Sequence, residues 1–255
     1  MIRVSELAVI GGGALGASYV RRLLRASLAG RLEFERILVV DRDPACAAAL
    51  VDDPRLELAF SEWSEWLDAG LDRLAPGSHL VPHHWAPHLL LEWLTRQAQG
   101  AGARVAHSGA PLAAGLPYER PTRDGSLALS FATWTCPPGC VEPERCPHTR
   151  APRGWSLAGR LSMSPPTDEL PLVFRCEHLV YGVATVPVDR ILESRDRLLD
   201  GLPTGPRRYL VATASHCHGL AARIEVAPGE RGGADCQPGG GSGRACRASR
   251  MSGAR

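Results

Sequence analysis

Residues 7–16 read LAVIGGGALG, a short apolar run that stops at three glycines. The run Leu7–Ile10 has no polar alternation, the pattern of a strand covered on both faces. After the glycines, Leu15, Val20, Leu23, Leu24 and Leu28 recur at helical spacing, while Arg21, Arg22 and Arg25 can face water. That periodicity predicts a helix from about Ala14 to Leu28, with Gly30 as its terminator. Residues 36–41, RILVVD, then supply a second continuous apolar run. Strand, glycine turn, helix and strand make a βαβ unit.

Within this unit the glycines are spaced Gly11-x-Gly13-x-x-Gly16. Gly11 permits a sharp turn, Gly13 lets a diphosphate approach the backbone, and Gly16 lets the helix pack on the strand. The unpaired amides at the helix start face the phosphate charge. Asp41, at the end of the second strand, can accept from an adenosine ribose hydroxyl and favours NAD, whereas Arg42 could hold the extra phosphate of NADP. The segment resembles the Rossmann dinucleotide-binding family over roughly residues 5–100. On that likeness Gly11, Gly13 and Gly16 match the phosphate turn and Asp41 the ribose acid. The run GGGALGASYVRRLL also resembles the opening of precorrin-2 dehydrogenases.

Further elements alternate along the chain. A short helix is expected from Asp43-Pro44 to Leu50 and strands at 56–60 and 80–82. Residues 63–70 form a short helix or turn, and residues 86–99 a helix with Leu89, Leu90, Trp93 and Leu94 on one side. A fifth strand is expected at 103–107. The expected fold class is α/β, a Rossmann-like parallel sheet with a smaller Cys-rich α+β C-terminal region. The expected organisation is a dinucleotide-binding domain at 1–108, a Cys/His-rich metal-binding or substrate region at 109–228, and a disordered Gly/Ser/Arg tail at 229–255. In the middle region a strand is expected at 127–134 and a helix from 188 to Gly201. Residues 207–226 read as a strand, a tight turn, and a strand or helix. This region either forms its own domain or completes the first sheet.

The 255 residues are 44% hydrophobic and 22% charged, the composition of a folded chain. The formal charge of +2 leaves no broad basic footprint, so nucleic acid is not an expected partner. No lysine occurs in the sequence, which excludes Schiff-base chemistry and a phosphate-loop lysine. No apolar run approaches membrane-spanning length, and no signal peptide is legible. A cytoplasmic protein is expected, in which the eight cysteines are thiols or ligands rather than disulfides.

The densest chemical signal is TCPPGCVEPERCPHT, which places Cys136, Cys140 and Cys146 in a Pro-rich segment. Thiolates suit zinc or an iron–sulfur cluster. Cys176 or Cys217 is the expected further ligand, with His148, His178, His216 and His218 as alternatives. The spacing matches neither paired zinc knuckles nor the bacterial ferredoxin run. Ordinary loop cysteines are the plainer reading. Glu142 and Glu144 read as solvent-facing acids, and Trp134 and Trp155 as core. His83 and His84, between a strand and a helix, stand where a parallel sheet binds ligands and are the candidate proton-transfer residues; loop or capping roles would explain them equally.

Two functions fit these signals. One is an NAD- or NADP-binding oxidoreductase with a Cys-ligated zinc or iron–sulfur centre, acting on a small molecule or redox partner. The other is a non-catalytic nucleotide- or redox-sensing, metal-binding assembly protein.

Overall fold

The computed structural model describes residues 1–82, 88–108, 112, 115–137, 139–163, 169–202 and 205–229. Its first elements are β1 (Ile2–Arg3), β2 (Glu6–Ile10), α1 (Ala14–Leu28), β3 (Leu32–Glu33), β4 (Arg36–Asp41), β5 (Leu56–Phe60), α2 (Trp63–Gly70), β6 (His79–Val81) and α3 (Leu89–Gly100). There follow β7 (Ala103–Ser108), β8 (Tyr118–Pro121), β9 (Leu127–Ser130), α4 (Leu157–Met163), β10 (Leu170–Arg175), β11 (Glu177–Val180), β12 (Val183–Pro187), α5 (Val188–Asp200), β13 (Arg207–Ala214) and β14 (His218–Pro228). Short 3-10 turns occupy Ala47–Leu50 and Leu71–Arg73.

The architecture is mixed α/β, built from two six-stranded sheets and a two-stranded ribbon. The first large sheet has the order β11-β12-β6-β2-β4-β5. Its β6, β2, β4 and β5 run parallel. β2 is buried at every position, as its unbroken apolar run requires. The sheet is not wholly parallel: β12 pairs antiparallel with β6, and β11 antiparallel with β12. Residues 177–187 therefore return to complete the sheet begun at residue 6.

The second sheet follows the order β10-β13-β14-β9-β8, with β7 also paired to β14. β14 is eleven residues long and faces β13 on one side. Its other side is shared by β9, opposite His218–Ala221, and β7, opposite Arg223–Pro228. The expected fifth strand of the first sheet is therefore in the wrong place. It is β7, and it lies antiparallel in the second sheet. Its burial pattern, one buried residue followed by largely exposed ones, suits a strand at the margin of a sheet and not one covered on both faces.

Three apolar clusters hold these layers. The largest joins β2, β4 and β6 through α2, α3 and α5 to β10, β13 and β14, so these helices are sandwiched between the two sheets. Trp93 of α3 is 1% exposed there, and its truncation to Ala would cost about 3–5 kcal/mol. The second cluster packs α1 on the outer face of the first sheet, with the β11–β12 turn against it. The third packs α4 on the outer face of the second. Along α1 the buried residues are Gly16, Ala17, Val20, Leu23, Leu24 and Ala26. Leu15 and Leu28, placed by periodicity on the apolar stripe, are exposed. They stand in the first and last turns, where the stripe overruns the sheet it covers. Gly30 ends the helix at φ +65°, as expected.

The tail 230–255 lies outside the described residues. Among the described residues, no helix is long and apolar enough to cross a membrane.

Candidate functional site

The glycine turn leaves β2 at its carboxyl end. Gly11 has φ +90°, a conformation that costs other residues strain, and its amide donates to the Val40 carbonyl at 2.8 Å. A Cβ on Gly16 would lie 1.8 Å from the Gly11 carbonyl oxygen, whereas a Cβ on Gly13 would meet nothing within 4 Å among the described residues. The two glycines therefore serve different ends: Gly16 admits the helix to the turn, and Gly13 leaves the approach to the helix start open. Gly13 caps α1 without a side-chain hydrogen bond, and no acid stands in the first turn. The helix thus supplies no capping side chain of its own to its leading amides.

Asp41 is bound into this turn. Its Oδ2 accepts from the Gly12 amide at 2.6 Å, and its Oδ1 from the Asp43 amide at 2.9 Å. Each carboxylate oxygen keeps a second lone pair for a ligand hydroxyl. Arg42 is exposed and pairs with Glu62 at 3.3 Å. A Cβ on Gly12 would strike the Cys46 sulfur at 2.4 Å, so a thiol that sequence reasoning passed over packs beneath the turn. His83 and His84 lie outside the described residues. Neighbouring His88 is fully buried, with Nε2 2.8 Å from the Thr213 hydroxyl and its amide on Asp124 Oδ2 at 2.7 Å.

The cysteine segment is held by a residue that the sequence reading misjudged. Glu142 is buried, not solvent-facing. Its carboxylate accepts from the Ser215 hydroxyl at 2.6 Å, the His216 amide at 2.8 Å and the Cys217 amide at 3.1 Å. His178 Nε2 stands 3.7 Å away. These contacts clamp the segment to the β13–β14 turn. Gly139 packs on the β11–β12 turn: a Cβ on Gly182 would lie 2.5 Å from the Gly139 carbonyl. Arg22 of α1 donates to the Tyr181 carbonyl of that turn at 3.3 Å. Through these contacts the thiol segment reaches the flank of the helix that begins at the glycine turn.

The expected thiol ligands separate. Cys136 Sγ lies 3.3 Å from His218 Nε2. Its pKa is raised by burial and by the neighbouring Cys140, Cys146 and Glu142. Cys140 accepts from the Glu142 amide at 3.4 Å. Cys146 has its pKa lowered by hydrogen bonds from Thr149. Cys217 is buried, accepts from Trp155 Nε1 at 3.3 Å, and has its pKa pushed up to about 12, chiefly by burial. Trp155 is therefore a sulfur partner as well as a packing residue. Cys176 packs against the core between the sheets, where burial pushes its thiol up to about 12. His148 stacks on Trp134, ring centroids 4.6 Å apart. Among the described residues, no group of three or more His, Cys, Asp or Glu side chains is arranged to hold a metal ion.

Two cavities among the described residues lie elsewhere. One of about 260 Å³ is lined by Arg197, Asp200, Arg207 and Tyr209 among others. One of about 300 Å³ is lined by Arg3, Glu33, Phe34 and Gly77 among others.

The AF_1314_C family model (uncharacterized protein, C-terminal domain) matches residues 88–227. The chain belongs to that family. The matched stretch is more than half of the chain; it begins at α3, ends within β14, and carries the clamped cysteine segment and the β13–β14 turn. The glycine turn lies before it. No curated protein matches the chain.

Proposed function

We propose that residues 6–81 form a Rossmann-like unit that binds NAD or NADP at Gly11, Gly13, Gly16 and Asp41, and that the protein is an oxidoreductase. The observation that carries this reading is the contrast between Gly16, whose missing side chain admits the Gly11 carbonyl, and Gly13, whose missing side chain faces none of the described residues within 4 Å. A merely structural turn needs the first and not the second. The strand order supports it: the chain moves from β2 to β4 and β5 on one side and places β6 on the other. The carboxyl end of β2, where Gly11 lies, is thus the switch point at which open sheets bind ligands. The cofactor would supply the hydride chemistry, and the protein would position it against a small hydride donor or acceptor. The likeness to precorrin-2 dehydrogenases makes tetrapyrroles, as hydride donors to the oxidised nucleotide, one substrate class to include in a screen. A reducing compartment such as the cytoplasm suits the thiols, since every described cysteine is free.

A second reading, a nucleotide sensor without turnover, would use the same glycine turn.

Calorimetric titration of the full chain with NAD⁺, NADP⁺, NADH and NADPH tests the site. Gly13 has φ −61° and ψ −170°, a conformation open to any residue, so Gly13→Val should fold normally and weaken nucleotide binding at least about tenfold. Unaltered binding by Gly13→Val, or no binding by the native chain, would overturn the assignment. Turnover with a reduced nucleotide and an acceptor panel separates enzyme from sensor.

A further inference from the structure

We propose that Cys136, Cys140, Cys146 and His218 form a site for one zinc-class divalent ion, with Ser130 as the residue that orients His218. The proposal stands apart from nucleotide binding, and either can fail alone.

The argument begins with the imidazole. His218 is the first residue of β14, paired with Ser130 at the end of β9. Its Nδ1 is 2.9 Å from the Ser130 hydroxyl oxygen. That hydroxyl donates to the Ala132 carbonyl at 2.9 Å, so its oxygen is left to accept from Nδ1–H. The lone pair of His218 then sits on Nε2, which points at Cys136 Sγ at 3.3 Å. A hydrogen bond on the remote ring nitrogen is what fixes the tautomer and aim of a metal-ligating histidine. His218 is exposed and Cys136 partly so, which leaves an entry path.

The other two donors flank the Glu142 clamp. Cys140 precedes it by two residues and Cys146 follows by four, and both act electrostatically on Cys136. Both sulfurs already accept hydrogen bonds, Cys140 from the Glu142 amide and Cys146 from Thr149. Glu142 is not a ligand, because its oxygens are committed to the β13–β14 turn. Cys217 faces the Trp155 N–H and Cys176 the core, so neither belongs to the set. Three thiolates and one imidazole suit tetrahedral zinc. As they stand, the described side chains do not bring three donors together. Binding therefore requires Cys140 and Cys146 to swing onto the Cys136–His218 pair. Among the described residues no named helix or strand lies between Ser130 and Leu157, so only side-chain rotation and local turns, such as the one closed by the Arg145–Pro152 bridge, need adjust.

The test uses the full chain, reduced and stripped with chelator, and titrated with Co²⁺. One equivalent should bind with thiolate charge-transfer and tetrahedral visible bands, and Zn²⁺ should displace it. Cys136→Ser and His218→Ala should lose the bands, and Ser130→Ala should weaken binding about 10–100-fold. Cys176→Ser and Cys217→Ser should bind like the native chain. A measurement needing no variant follows alkylation by mass spectrometry: Zn²⁺ should protect Cys136, Cys140 and Cys146 together. Failure of stoichiometric Co²⁺ binding, loss of the bands in Cys217→Ser, native-like spectra in His218→Ala, or iron with inorganic sulfide in the anaerobically purified chain would each overturn the proposal. The last would identify a cluster instead.

Discussion

Replacing His88 by Gln should remove a defined pH dependence from the protein's stability. His88 lies before α3, fully buried, with Nε2 on Thr213 and no hydrogen-bond partner for Nδ1 among the described residues. Burial pulls its pKa from 6.5 down to about 4, outweighing the opposing pull of Asp124, whose carboxylate accepts the His88 amide. The folded chain therefore refuses a proton that the unfolded chain accepts. Stability from this group is whole above 6.5 and is lost as pH falls toward about 4. At about 1.4 kcal/mol per pKa unit the loss amounts to about 3 kcal/mol. Gln keeps a hydrogen-bonding side chain without a titrating ring. Urea unfolding followed by tryptophan fluorescence, in steps from about pH 7.5 to about pH 4, measures both proteins. The variant should be less stable near neutrality through lost packing, by about 1–2 kcal/mol. That deficit should shrink on acidification and reverse, because only the native protein loses the His88 contribution. Parallel curves for the two proteins would refute the reasoning, since Asp124 and every other titrating group is common to both.

Three further outcomes follow. Gly16→Ala places a methyl carbon 1.8 Å from the Gly11 carbonyl, so thermal denaturation should show a loss of more than about 3 kcal/mol, where Gly13→Val shows little. Glu142→Gln leaves the Ser215, His216 and Cys217 donors imperfectly matched and should cost about 2–4 kcal/mol, with faster proteolysis between residues 136 and 153 as the local readout. In the native chain iodoacetamide should label the partly exposed Cys140 and spare Cys176, whose thiol is pushed up to about 12 by burial, as peptide mapping after a timed quench would show.

Local signals gave individual elements of the first hundred residues because each concerned neighbours in sequence. The continuous run at 7–10 became a strand buried on both faces, and the helix after it stopped at Gly30. Residues 63–70 formed α2, and the helix ending at Gly201 was read within a residue. The ambiguous segment after residue 215 became the long strand β14. Period alone could not separate strand from helix there, because the apolar spacing of AARIEV serves either. The helix α4 went unread: its buried residues, Leu157, Ala158 and Leu161, span barely two turns, too short for a period to show.

The thiol segment marks the limit of this reading. Sequence spacing drew attention to Cys136, Cys140 and Cys146, but it offered Cys176 on equal terms and treated Glu142 as a surface acid. The tertiary structure puts Cys176 against the core and Glu142 on the amides of a turn more than seventy residues away. Likewise it sent residues 103–108 to the second sheet and brought residues 183–187 back beside β6. Glycine spacing and apolar periodicity by themselves determined the turn at residue 11 and the helix that leaves it, because backbone sterics and side-chain period act over one or two turns of chain. Which distant strand fills an edge, and which buried carboxylate meets which amide, was decided only when the layers packed. Those choices depend on hydrogen-bond partners and desolvation that no short window of sequence contains.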